Sequence, residues 1–245
     1  MIHKNPVEYE QGLKQYIFQQ NAFRILVFAI FTFFLSFLLY FMDYRFYQGG
    51  ICADNPLYCQ LLIGMHTFLL VFSSIYVLLY YTYIKRVLET PINSKKNILQ
   101  YLYMAGYLLF MAGMSVVGQL YHGTITLYLV GAMALAAIMM IPRRISFFLY
   151  LGVHVAFLAG MFAFQKESKL LVSNSINGTV GVAIAYLINM VMYKYKSLDF
   201  VNNKIIVDSN NKLQLAKKRI ESLLNNVLPE KIVHELNEKG ASEPV

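Results

Sequence analysis

Ile25-Leu26-Val27-Phe28-Ala29-Ile30-Phe31-Thr32-Phe33-Phe34-Leu35-Ser36-Phe37-Leu38-Leu39-Tyr40-Phe41-Met42 is the run that decides the fold. None of these side chains is charged, and at about 1.5 Å of rise per residue a helix of this length crosses most of a roughly 30 Å hydrocarbon layer. No secretory cleavage signature precedes it, so the expectation is a first membrane span that stays in the mature protein. The whole chain agrees. Of its 245 residues 58% are apolar and only 14% charged, and mean hydropathy is positive, which is too apolar for a water-soluble domain of this length.

Outward from this run, residues 1–24 are polar with scattered aromatics and predict a cytoplasmic N-terminal segment, either an amphipathic helix on the membrane surface or a solvated helix. On the other side, Asp43 to Gln60 reads as a loop punctuated by Gly49-Gly50 and Asp54-Asn55-Pro56. It holds both cysteines, Cys52 and Cys59; they are candidates for a small disulfide ring if the loop faces an oxidising compartment, and too few for a zinc site by themselves. Further apolar runs predict a second span over Leu61–Ile84, a third over Ile98–Tyr121 ending at the tight turn His122-Gly123, a fourth over Ile125–Ile141 closed by Pro142-Arg143-Arg144, a fifth over Ile145–Phe164, and a sixth from Val172 to Tyr193. The expected fold class is an all-α membrane protein with six transmembrane helices in residues 25–193.

With a cytoplasmic N-terminus, eighteen lysines and arginines fall on inner segments and only Arg45, Lys166 and Lys169 outside. This asymmetry predicts that both termini are cytoplasmic, in a multi-pass protein of the cell (inner) membrane. The net charge of +8 therefore reads as membrane anchoring, and nucleic acid is excluded as a partner.

The sixth span carries small and polar residues at intervals of three and four: Asn174, Gly178, Gly181, Ala185 and Asn189. Such faces mark close helix approach in lipid, and this one is assigned here as a dimer contact, packing inside one bundle being the alternative. Residues 194–228 contain no glycine and end before Pro229, so the sixth helix is expected to continue into the cytoplasm. Ile206, Leu213, Ile220 and Val227 repeat every seven residues, which fits the seam of a parallel coiled coil and hence a homodimer; a single amphipathic helix on the bundle or on lipid is the alternative.

Pro229 has no amide hydrogen and its ring crowds the preceding turn, so it predicts a hinge between two helices. The run around it, Leu223-Leu224-Asn225-Asn226-Val227-Leu228-Pro229 followed by the charged stretch Glu230 to Glu238, resembles the element that links the N-terminal part of class III adenylate and guanylate cyclases to their catalytic domain. The resemblance covers about fifteen residues and comes directly after a membrane anchor and a coiled-coil-like stretch. It implies that residues 229–245 begin a cyclase linker, that the chain is the membrane half of such an enzyme cut before its catalytic half, and that its partners are a second copy, the lipid bilayer, its own catalytic domain and an unidentified extracellular or lipid ligand. His234-Glu235-Leu236 also looks like the phospho-acceptor box of a sensor histidine kinase, but that box wants a proline soon after the histidine and Asn237, Glu238 and Lys239 stand there.

The chain itself carries no catalytic residues, no phosphate-binding glycine loop and no His-Glu-x-x-His. Ionisable side chains within apolar segments are the remaining functional candidates. Asp43, His66 and His122 all fall near the outer boundary in the inferred topology and could gather a divalent transition metal such as zinc; His154 lies nearer mid-membrane and is expected to pair with a polar side chain. Haem held by two histidines is a further option. The competing function is a small six-span transporter, which should show midplane charges or broken helices in repeated halves.

Overall fold

The computed structural model describes residues 6–48, 55–88 and 97–227, all of them helices and their connections. The chain forms two compact units, Met1–Lys196 and Ser197–Val245.

The first unit is a helical bundle. Helix α1, Pro6–Gln48, is continuous through the boundary expected at residue 24: proline is absent after its first residue, and the lone Gly12 does not suffice to end a helix. Ile17, Phe18 and Ala22 belong to the buried core, so this part of α1 packs into the bundle. Helix α2, Pro56–Leu79, starts before the expected Leu61 because Asn55 caps it, its side-chain oxygen accepting the Tyr58 amide at 3.2 Å, with Pro56 at the first helical position. It passes through one π-helical turn, Tyr80–Ile84, into the short α3, Lys85–Leu88.

Helix α4, Ile98–Val117, ends in a 3₁₀ turn, Gly118–Leu120. The amides of His122 and Gly123 both reach back to the Gly118 carbonyl, at 2.8 and 3.0 Å, and Gly123 has φ +68°. A side chain there would be strained, which is why glycine closes this turn. Helix α5, Thr126–Ile138, gives way to extended backbone at Met139; Pro142 biases the residue before it away from helical geometry, and its own ψ of 141° keeps the segment extended up to α6, Arg143–Phe164. Helix α7, Ser168–Val227, runs 60 residues.

Among the described residues five helices are long and apolar enough to cross a membrane: α1, α2 with its π turn, α4 with its 3₁₀ turn, α6 and α7. The fourth expected span differs. The 13 residues of α5 reach about 20 Å, short of a roughly 30 Å hydrocarbon layer. Helix α4 lies at the centre of the unit, with 56% of its apolar window buried against 22–28% for the other four. Tyr103, Met104 and Leu108 of α4 pack in one core with Tyr128 and Ala132 of α5 and Phe157 of α6. Around that core the apolar surface is exposed, including Phe31, Phe34, Phe37 and Phe41 of α1. Exposed aromatics in this density are unfavourable in water and suit a hydrocarbon surround.

In the second unit, the described residues are the helical stretch 197–227. Ile206, Leu213, Ile220 and Leu223 are all more than half exposed, and Lys217 pairs with Glu221 one turn on. Pro229 and the rest of the cyclase-like linker lie outside the described residues.

Candidate functional site

Among the described residues of the first unit, polar side chains gather at both ends and at points between them. At the first end, α1 finishes, α2 begins and the α4–α5 and α6–α7 connections come together. Asp43, near the end of α1, lies with its Oδ2 2.5 Å from Nδ1 of His66, in the third turn of α2. Their side chains are only 12% and 6% exposed. The Phe110 ring of α4 lies 6.4 Å from the imidazole, covering the pair on that side.

Of the three residues read as candidate metal ligands, Asp43 and His66 are bonded to each other. His122 is exposed and sits edge-on to Tyr121 and Tyr58, at 4.5 and 6.1 Å between ring centroids. Among the described residues no three His, Cys, Asp or Glu side chains are placed to hold a metal ion. Of the two cysteines, Cys59 in the first turns of α2 carries no free thiol, while Cys52 lies outside the described residues.

Beside this pair is a network that the sequence reading missed. Gln119, in the 3₁₀ turn, donates to the carbonyls of Ser115 and Thr124 at 2.9 and 3.0 Å. Its side-chain oxygen accepts from Gln165 at 2.8 Å and from Asn174 at 3.1 Å. Asn174 also donates to the Gly123 carbonyl at 2.8 Å, and Asn55 of the α2 cap donates to the Leu120 carbonyl at 3.0 Å. One amide side chain thus ties the end of α4 to the start of α7. A glutamine at the end of an otherwise apolar run, just before a glycine turn, is the sequence signal that could have located it.

In the middle, His154 of α6 bridges two helices. Thr179 of α7 gives its hydroxyl hydrogen to the Ser175 carbonyl at 2.8 Å, so it accepts from His154 Nε2 at 3.0 Å. That leaves Nδ1 to accept from the Tyr128 hydroxyl at 3.3 Å. Each ring nitrogen of His154 thus has a hydrogen-bond partner, one on α5 and one on α7.

At the opposite end, α1 and α7 hold the extended segment after α5. Asn21 accepts the Met140 amide at 3.0 Å and donates to the Met140 carbonyl at 2.8 Å. Arg24 donates to the Ile138 carbonyl at 2.6 Å and Asn189 to the Met139 carbonyl at 3.0 Å. Met139, Met140 and Ile141 are essentially fully buried. Irregular backbone in an apolar surround survives only when its polar groups are met in this way.

The α7 face predicted as a dimer contact is used inside the bundle. Asn174 is bonded to Gln119; a Cβ on Gly178 would lie 2.8 Å from the Phe157 ring, and one on Gly181 would collide with Leu129. Ala185 and Asn189 are fully buried. These residues let α7 approach α5 and α6 closely, so they are not available to a second copy. The seam residues Ile206, Leu213 and Ile220 belong to the second unit.

The chain matches no protein-family model, no curated protein and no solved structure.

Proposed function

We propose that this chain is the membrane anchor and transducer of a class III nucleotide cyclase, converting ATP to cyclic AMP in the complete enzyme, and that it works as a homodimer with both termini cytoplasmic. The observation that carries the reading is helix α7. One unbroken helix of 60 residues contains both the face that packs against α5 and α6 and, further on, the exposed heptad seam Ile206, Leu213, Ile220, leading to Pro229 and the cyclase-like linker. A shift of α7 against its neighbours would change how the two tail helices meet, and so how two catalytic domains are presented.

The polar network at the first end supports a receptor role, because Gln119 couples the α4–α5 turn directly to the first turns of α7. A ligand acting on that end, from outside or from lipid, would have a short path to the transmitting helix. The transporter reading would build on the extended segment Met139–Pro142. The carbonyls of Met139 and Met140 are taken by Asn189 and Asn21, however, and that of Ile138 just before them by Arg24, which leaves the segment less to offer a substrate.

The test is to join this chain to a class III catalytic domain that is active only as a dimer and to measure cyclic AMP formed by membranes. Activity that depends on the chain, and that changes when Pro229→Ala straightens the hinge, is expected. Activity unaffected by both removal of the chain and the substitution would end the proposal.

A further inference from the structure

Two clefts at the end of the first unit where α6 begins share Arg143. One, of about 540 Å³, is lined by Arg143, Arg144, Phe147, Phe148 and Tyr186; the other, of about 260 Å³, adds Lys194 of α7. The larger falls within the roughly 300–1,000 Å³ of ordinary ligand clefts. All three cations are exposed, and among the described residues none of them takes part in an ion pair. Directly below them on α6, Phe147 and Phe148 are 46% and 70% exposed, with Phe147 edge-on to Tyr186 at 6.0 Å.

The arginines also occupy the first two positions of α6, where the helix dipole is positive and no side chain caps the first-turn amides. Cations at that end are unfavourable. A bound anion removes the conflict, because guanidinium groups grip phosphate oxygens in pairs and the uncapped amides point the same way. The cleft is therefore cationic at the polar boundary of a helix long and apolar enough to cross a membrane, and aromatic immediately beneath. That is the chemistry of a phospholipid with a negative head and an apolar tail, and not of a soluble anion, which has no use for the phenylalanines.

We propose that Arg143, Arg144 and Lys194 form a headgroup site for an anionic phospholipid whose acyl chain lies along Phe147 and Phe148. The site rests on the membrane placement of the bundle and is independent of the cyclase reading. It gives the protein a lipid held between α6 and α7, where occupancy bears on the packing of the transmitting helix.

The test uses the full chain in zwitterionic detergent micelles carrying phosphatidylglycerol, with bound lipid counted by native mass spectrometry and thermal stability followed in parallel. The expected result is saturable phosphatidylglycerol binding with a rise in Tm, and no such rise with phosphatidylcholine or with inorganic phosphate. Arg143→Gln with Arg144→Gln should weaken binding about thirty-fold, at roughly fivefold per basic charge near an anionic lipid; Lys194→Gln alone, which leaves the α6 terminus intact, should weaken it about fivefold. The control Lys217→Gln with Lys218→Gln removes the same charge from the second unit and should change nothing. Equal binding of phosphatidylcholine, an equal rise with inorganic phosphate, unaltered binding in the Arg and Lys variants, or an equal loss in the control would each overturn the site.

Discussion

The Asp43 carboxylate of α1 and the His66 imidazole of α2 meet at 2.5 Å with both side chains almost wholly enclosed, so the two helices are pinned together near the end of α1. A buried pair of this kind adds little over an apolar replacement of both partners, but breaking it leaves one polar group stranded.

Asp43→Leu should therefore destabilise the chain by about 3–5 kcal/mol, and His66→Phe by a comparable amount, whereas the two substitutions together should recover much of the loss. Denaturant or thermal unfolding of the four proteins in one detergent gives the cycle. Additive losses in the double variant would mean the contact is not a coupled pair.

Asn21 acts as a peptide-like clamp on Met140, making both an accepted and a donated bond to one residue. Asn21→Leu leaves a buried amide and a buried carbonyl unmet, at about 1–3 kcal/mol each. The reading is wrong if Asn21→Leu melts within a degree of the parent, and hydrogen exchange at Met140 should quicken in the variant.

Gly178 and Gly152 make a matched pair of tests. A Cβ at 178 meets the Phe157 ring, which packs against both Tyr128 and His154 at centroid distances of 4.3 and 5.9 Å; a Cβ at 152 meets nothing within 4 Å. Overpacking costs about 1–3 kcal/mol against a helix-propensity gain of about 1 kcal/mol. Gly178→Ala should thus lower Tm, and Gly152→Ala should leave it unchanged or raise it. Equal responses would refute the close approach of α7 to α6.

For the second unit, Leu213→Asp with Ile220→Asp places charge in the proposed seam. Light scattering in detergent should report a fall from dimer to monomer mass. A mass that stays at the dimer value in the double variant would show that the pair is held elsewhere, and a monomeric parent would remove the seam as an interface.

Much of the helical plan was legible in the residues. The uncharged run Ile25–Met42 and its later counterparts demand helices because apolar segments of that length must satisfy their own backbone, and the absence of glycine and proline from residues 194–227 foretold that α7 would run on. The ends were less legible. Asn55 starting α2 early is a local cap that could have been read from Asn-Pro; α1 passing through residue 24 could not, because Arg24 looks like a boundary until the Ile138 carbonyl is found beside it.

The sequence by itself determined that this is an apolar, helical chain with basic segments between its apolar runs, since those properties are set by composition and period. Only the tertiary structure decided the partners. Asp43 and His66 are 23 positions apart, Asn21 and Met140 119 positions apart, and no periodicity encodes such a pairing. It also decided that the small face of α7 is spent on its own bundle, that His122 stands apart from His66, and that Arg143 and Lys194 share one end. Each of these depends on how helices distant in sequence rotate and slide to fill a common core, and that choice is made by packing and by the need of buried polar groups for partners.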